Sequence, residues 1–126
     1  MPVTYLIDGA AGIIRTRCAG IVTFEEVAGH FRELAEDPGC PERLDVLLDL
    51  TAIESLPDPS QLRSVGVEID RVRERVQFGS CAIVAGSDAM FGMMRMFEVF
   101  AANRFGAIRV SRALDEAESW LASRRP

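Results

Sequence analysis

The period of the hydrophobic pattern changes several times along the chain, and each change marks an element. Residues 3–8 are short, β-branched and aromatic, which predicts a strand. Asp8-Gly9 and Gly12 mark a turn, and residues 13–19 predict a second strand with Ile14, Thr16 and Cys18 on one face and Arg15 and Arg17 on the other. Two short strands around a Gly-containing turn predict an antiparallel hairpin. After Gly20, Thr23 and Glu26 have the spacing of a capping box, and Phe24, Val27, Phe31 and Leu34 recur at helical spacing. That helix runs to about Asp37, where Pro38-Gly39 stops it. Residues 44–50 are apolar at nearly every position, the mark of a strand covered on both faces in a parallel sheet.

Asp58 suits an N-cap and Pro59 a first helical position. Leu62, Val65, Ile69, Val72 and Val76 then step by three and four residues, the clearest amphipathic helix of the chain. Residues 81–85 carry no strongly polar side chain and predict a fourth strand; Gly86, Ser87 and Asp88 form a turn and cap. Residues 89–102 predict a third helix, 107–110 a fifth strand, and 114–123 a last helix whose apolar face is Ala117, Trp120 and Leu121. The order β-β-α-β-α-β-α-β-α implies parallel pairing through right-handed crossovers, with the third and fourth strands interior. The expected fold is α/β, a mixed, mostly parallel five-stranded sheet with four helices, in a single domain spanning residues 1–126.

Composition supports one globular domain: the chain has 126 residues, 48% of them hydrophobic and 26% charged. The net charge is −5, and all 14 basic residues are Arg. Duplex nucleic acid is excluded as an expected partner, because its binding needs a concentrated basic face. No run approaches the ~20 apolar residues of a membrane span, so no stable membrane insertion is expected. The first residues lack a basic and then apolar leader, so no signal peptide is expected either. Cys18, Cys40 and Cys81 cannot all pair and show no Cys-x-x-Cys spacing, which fits reduced thiols and a cytoplasmic location.

Three strings, in order, carry a resemblance to a known family. They are residues 20–26 (Gly-Ile-Val-Thr-Phe-Glu-Glu), residues 46–50 (Val-Leu-Leu-Asp-Leu), and residues 91–97 (Phe-Gly-Met-Met-Arg-Met-Phe) followed by Arg109-Val110 and residues 115–121. The chain resembles SpoIIAA-like proteins of the STAS group (sulphate transporter and anti-sigma-factor antagonist domains), among them the stand-alone bacterial proteins described as STAS/SEC14-like. The resemblance implies a SpoIIAA-like fold and a non-enzymatic binding or regulatory role. Anti-sigma antagonists of the group carry an Asp-Ser-Ser-Gly-Leu-like string whose first Ser is phosphorylated. Here that stretch is Asp58-Pro59-Ser60-Gln61-Leu62, and Pro59 at the acceptor position has no hydroxyl. The phosphorylation switch is therefore not carried over.

Candidate chemistry is sparse. The single histidine, His30, lies off the strongest apolar line of its helix and reads as a surface or boundary residue. No Gly-x-Ser-x-Gly elbow, phosphate loop or paired metal-ligand spacing is present, so catalytic residues, metal and cofactor are all expected to be absent. The most unusual segment is the third helix, which is apolar around most of its circumference and must be covered on more than one side. Two expectations follow. Part of this helix, Met90, Met93, Met94 and Phe97, makes an interface in a homodimer, with a thick core inside one chain as the even alternative. A small apolar or amphipathic ligand sits beyond the carboxyl ends of the strands, near Asp49, Thr51, Asp58, Ser60, Ser87, Asp88, Phe91 and Arg95. The buried guanidinium expected of Arg95 would need a carboxylate such as Glu98, Asp49 or Glu54, or an anionic head group. The alternative is a protein-interaction module of the anti-sigma-antagonist type.

Overall fold

A computed structural model describes residues 2–124. The elements are β1 (Val3–Asp8), β2 (Ile13–Gly20), α1 (Phe24–Glu36), β3 (Arg43–Ile53), α2 (Pro59–Arg73), β4 (Gln77–Val84), α3 (Asp88–Ala101), β5 (Ala107–Ser111) and α4 (Leu114–Arg124). They form one five-stranded sheet in the spatial order β1-β2-β3-β4-β5. β1 and β2 are antiparallel, with Val3 opposite Cys18 and Asp8 opposite Ile13, and every other neighbouring pair is parallel. The expected fold class and element order are therefore present. The topology matches that of a STAS/SpoIIAA-like fold.

Local chemistry sets the element ends. Gly20 closes β2 at a φ of 70°, in the left-handed region where a side chain would be strained. Thr23 caps α1: its Oγ1 accepts from the Glu26 amide at 3.2 Å, while Glu26 Oε1 accepts from the Thr23 amide at 2.9 Å. Asp58 caps α2 in the same reciprocal way with Gln61, and Pro59 opens the helix where no amide hydrogen is needed. β3 extends three residues past the predicted end, because Ala52 and Ile53 pair with Ala19 and Gly20. β4 begins at Gln77, four residues earlier than the apolar run suggests, and its first amide donates to Glu42 O at 2.7 Å. In both places backbone pairing continues where side-chain polarity no longer signals a strand.

The sheet has unequal faces. α4 alone packs on one of them, where Ala117 and Leu121 meet Ile13, Leu47, Ala82 and Val84. α1, α2 and α3 all pack on the other, around Ile14, Leu44, Leu50, Cys81 and Ile83. α2 is pinned to the end of α3 by Arg104, whose guanidinium forks onto Asp70 at 2.9 and 3.1 Å and lies against Gly66. No helix among the described residues is long and apolar enough to cross a membrane.

Candidate functional site

The three-helix side of the sheet is not filled solid. Val46 and Leu48 lie midway along the central strand β3, where complete burial is the rule, yet each remains only half-buried. The space above them is a cavity of about 370 Å³, within the range of small-molecule sites. Its floor is the inward face of β2 and β3: Ile14, Thr16 and Cys18, then Val46, Leu48 and Leu50. Its walls come from Val27, Phe31 and Leu34 of α1 and from Leu62, Val65 and Ile69 of α2. Its inner end is closed by Met90, Met94 and Phe97 of α3.

The cavity reaches the surface beside the carboxyl ends of β2 and β3. Thr23 and Leu56 are the lining residues that are exposed. The two segments at this mouth are tied together by Ser55, whose hydroxyl accepts from the Val22 amide at 2.9 Å and donates to the Val22 carbonyl at 3.1 Å. Glu54 donates its amide to Gly20 O at 2.8 Å, which brings the loop after β3 against the end of β2. No charged side chain lines the cavity among the described residues; its polar groups belong to Thr16, Cys18, Thr23, His30, Ser55, Gln61 and Cys81.

His30 is the exception to its own sequence reading. Only 8% of its surface is accessible, and it belongs to the cavity wall. Val27, His30 and Leu34 step by three and four residues, so the buried stripe of α1 is wide enough to include it. Tyr5 and Phe31 flank the ring at centroid distances of 5.0 and 5.3 Å. Its Nε2 lies 3.5 Å from Thr16 Oγ1, and its Nδ1 is buried with no hydrogen-bond partner. Burial pushes its pKa down from 6.5 to about 4, so the ring is neutral near pH 7. Burial likewise pushes the thiols of Cys18 and Cys81 up, to about 11 and about 12, and holds them as small apolar groups.

The residues singled out from sequence change places. Met90, Met94 and Phe97, expected at a contact between copies, are buried within one chain at the inner end of the cavity. Sheet and neighbouring helices cover more of α3 than its composition suggested. Met93 is half-buried, while Met96 and Val99 stay exposed. The residues expected to hold a ligand lie outside the lining and have local partners. Asp49 Oδ1 accepts from the Thr51 amide at 2.9 Å and the Thr51 hydroxyl at 2.7 Å. Ser60 Oγ donates to Asp58 Oδ1 at 2.7 Å, which with the Gln61 amide holds the Asp58 carboxyl below its ordinary pKa. Ser87 caps α3, and Asp88 pairs with Arg112, whose guanidinium lies 5.0 Å above the Phe91 ring. Arg95 is not buried: its side chain is 63% exposed and pairs with Glu98 at 3.3 Å. The rim of residues 49–60 does border the mouth, through Ser55, Leu56 and Pro57. The rim at residues 86–92 contributes only Met90.

No cluster of His, Cys, Asp or Glu able to hold a metal ion occurs among the described residues. No protein-family model matches the sequence, and no curated protein matches it.

Proposed function

We propose that this chain is a binding module of the SpoIIAA-like group that takes up a small apolar or amphipathic molecule between its sheet and the helices α1, α2 and α3. The observation that carries the reading is the unfilled, apolar space over Val46 and Leu48, with its mouth between Thr23 and Leu56. An apolar guest that fills this space takes apolar lining out of water, and so stabilises the fold. A hydrophobic wall with a few polar groups is the usual make-up of a small-molecule site. The reading takes the role as binding because the lining is almost wholly apolar, and burial holds the thiols of Cys18 and Cys81 protonated. The reading includes a cytoplasmic location with reduced thiols and a homodimer, for which Met93, Met96 and Val99 of α3 remain as apolar contact residues.

The test is titration with N-phenyl-1-naphthylamine, a neutral fluorophore that brightens in apolar surroundings. The wild-type chain gives a saturable signal at about one probe per chain. Leu48→Phe and Val65→Phe place bulk in the cavity from its floor and from α2. Each keeps the thermal transition at or above the wild-type temperature and lowers probe affinity by about tenfold or more. Unchanged affinity in both folded variants removes the cavity as the binding site.

A further inference from the structure

The lining and the mouth together select the charge of the guest. None of the lining side chains is charged, so an ionised head group drawn inside would lose its water and find no counter-ion. The mouth is bordered by acidic residues. The two segments that frame it, residues 20–27 and 51–62, contain Glu25, Glu26, Glu54 and Asp58 and no basic residue. Two of these carboxylates are bonded to lining residues: Glu26 Oε1 accepts from the Thr23 amide and Asp58 Oδ1 accepts from the Gln61 amide, while Glu54 precedes Ser55 in the chain. An anionic amphiphile meets repulsion with its head outward and desolvation with its head inward.

One polar group in the wall lacks a partner. His30 is 92% buried, is held only by a 3.5 Å approach of Nε2 to Thr16, and leaves Nδ1 unbonded. A neutral imidazole presents one donor and one acceptor, and the side-chain torsion that orients the ring is broad. A hydroxyl can donate or accept, so it satisfies His30 in either tautomer, whereas a carboxylate can only accept.

Building on the proposed binding role, we infer that the guest is an uncharged amphiphile, a long-chain alcohol or its like, whose single polar group is drawn inward to His30 and Thr16 while the acidic mouth turns anions away. The test displaces the naphthylamine probe at pH 7.5 with 1-decanol, decanoate, decylamine and 1-chlorodecane, which share a chain and differ at the head. Decanol is expected to bind about tenfold or more tightly than decanoate and measurably more tightly than the chloride. His30→Phe keeps a ring at this position but removes its polar atoms, and is expected to abolish the preference of decanol over chlorodecane. If that variant does not fold, Thr16→Val serves the same comparison. His30 is the only histidine of the chain, so its imidazole nitrogen resonances are unambiguous. They are expected to shift on addition of decanol and to stay in place with chlorodecane.

Decanoate binding as tightly as decanol overturns the charge selection and leaves the cavity reading intact. Decylamine binding most tightly, with His30 resonances unmoved, overturns the inward head and assigns the polar end to the acidic mouth. Failure of all four chains and of the probe overturns the binding role itself.

Discussion

A neutral imidazole enclosed by Tyr5, Phe31 and Thr16 has a consequence for pH stability. Its pKa is about 4 in the folded chain and 6.5 when exposed, so above pH 6.5 the ring is neutral in both states and nothing is lost. As pH falls below 6.5 the unfolded chain binds a proton that the folded chain refuses. Stability then declines until about pH 4, by an order-of-magnitude 3 kcal/mol. The carboxylates held low by hydrogen bonds, Asp37 by Tyr5 and Asp70 by Arg104, start to lose their contribution only as pH passes their ordinary value of 3.8. Denaturant unfolding measured from pH 7 to pH 4.5 therefore falls steeply in the wild type and stays nearly flat in His30→Phe. Equal slopes would mean that another group titrates. At this scale the sequence was legible for Cys18 and Cys81, which lie in apolar strands, and misleading for His30 and Arg95. His30 has the spacing of the buried stripe but the polarity of a surface residue. Arg95 sits among methionines in sequence, yet a helix turns by 100° per residue, and its side chain emerges beside Glu98 on the wet side.

Among the elements, α3 shows how far a helix can be read without its neighbours. Its composition called for cover on several sides, and the fold supplies most of it from inside one chain. Met90, Met94, Phe97 and Ala101 form the buried line, Phe91 and Phe100 the shoulders, and Met96 and Val99 the exposed remainder. The two sides of the helix should respond oppositely to a charge. Met94→Asp puts an unpaired carboxylate in the interior and is expected to cost roughly 3 kcal/mol or more, enough to lower the melting temperature by more than about 10 °C. Val99→Asp, at a position 75% exposed, is expected to change stability by about 0.5 kcal/mol or less. Thermal melts of the two variants decide the matter, and a tolerant Met94→Asp would place that side chain in solvent. The capping residues Thr23, Asp58 and Ser87 were legible because a cap is a contact within a few residues. The far ends of β3 and the start of β4 were not, since they are fixed by partners distant in the chain.

For the whole molecule, the order of elements was legible because each alternation of period two and period three to four leaves its mark on the sequence. The cavity was not. Most residues around it are ordinary core residues by type, and no pattern along the chain says that α1 and α2 stand off the sheet over Val46 and Leu48. A void emerges only from the sum of side-chain volumes against the spacing of the layers. The same sum makes ligand binding visible as heat resistance. A guest present at about 100 times its dissociation constant adds about 2.7 kcal/mol, which for a chain of this size raises the melting temperature by roughly 10 °C. A saturating neutral amphiphile that left the transition unmoved in differential scanning calorimetry would not be residing in the folded chain.

The lopsided construction of the sheet also says which parts must yield when something enters. α4 seals its side by close contact with β3, β4 and β5, and the strands behind it keep their ladder. The stitch between Val22 and Ser55 is made of only two hydrogen bonds from one hydroxyl. With the Glu54 amide on Gly20 O it is one of the few ties across the mouth, so a guest that widens the opening loads these bonds before it loads the ladder under α4.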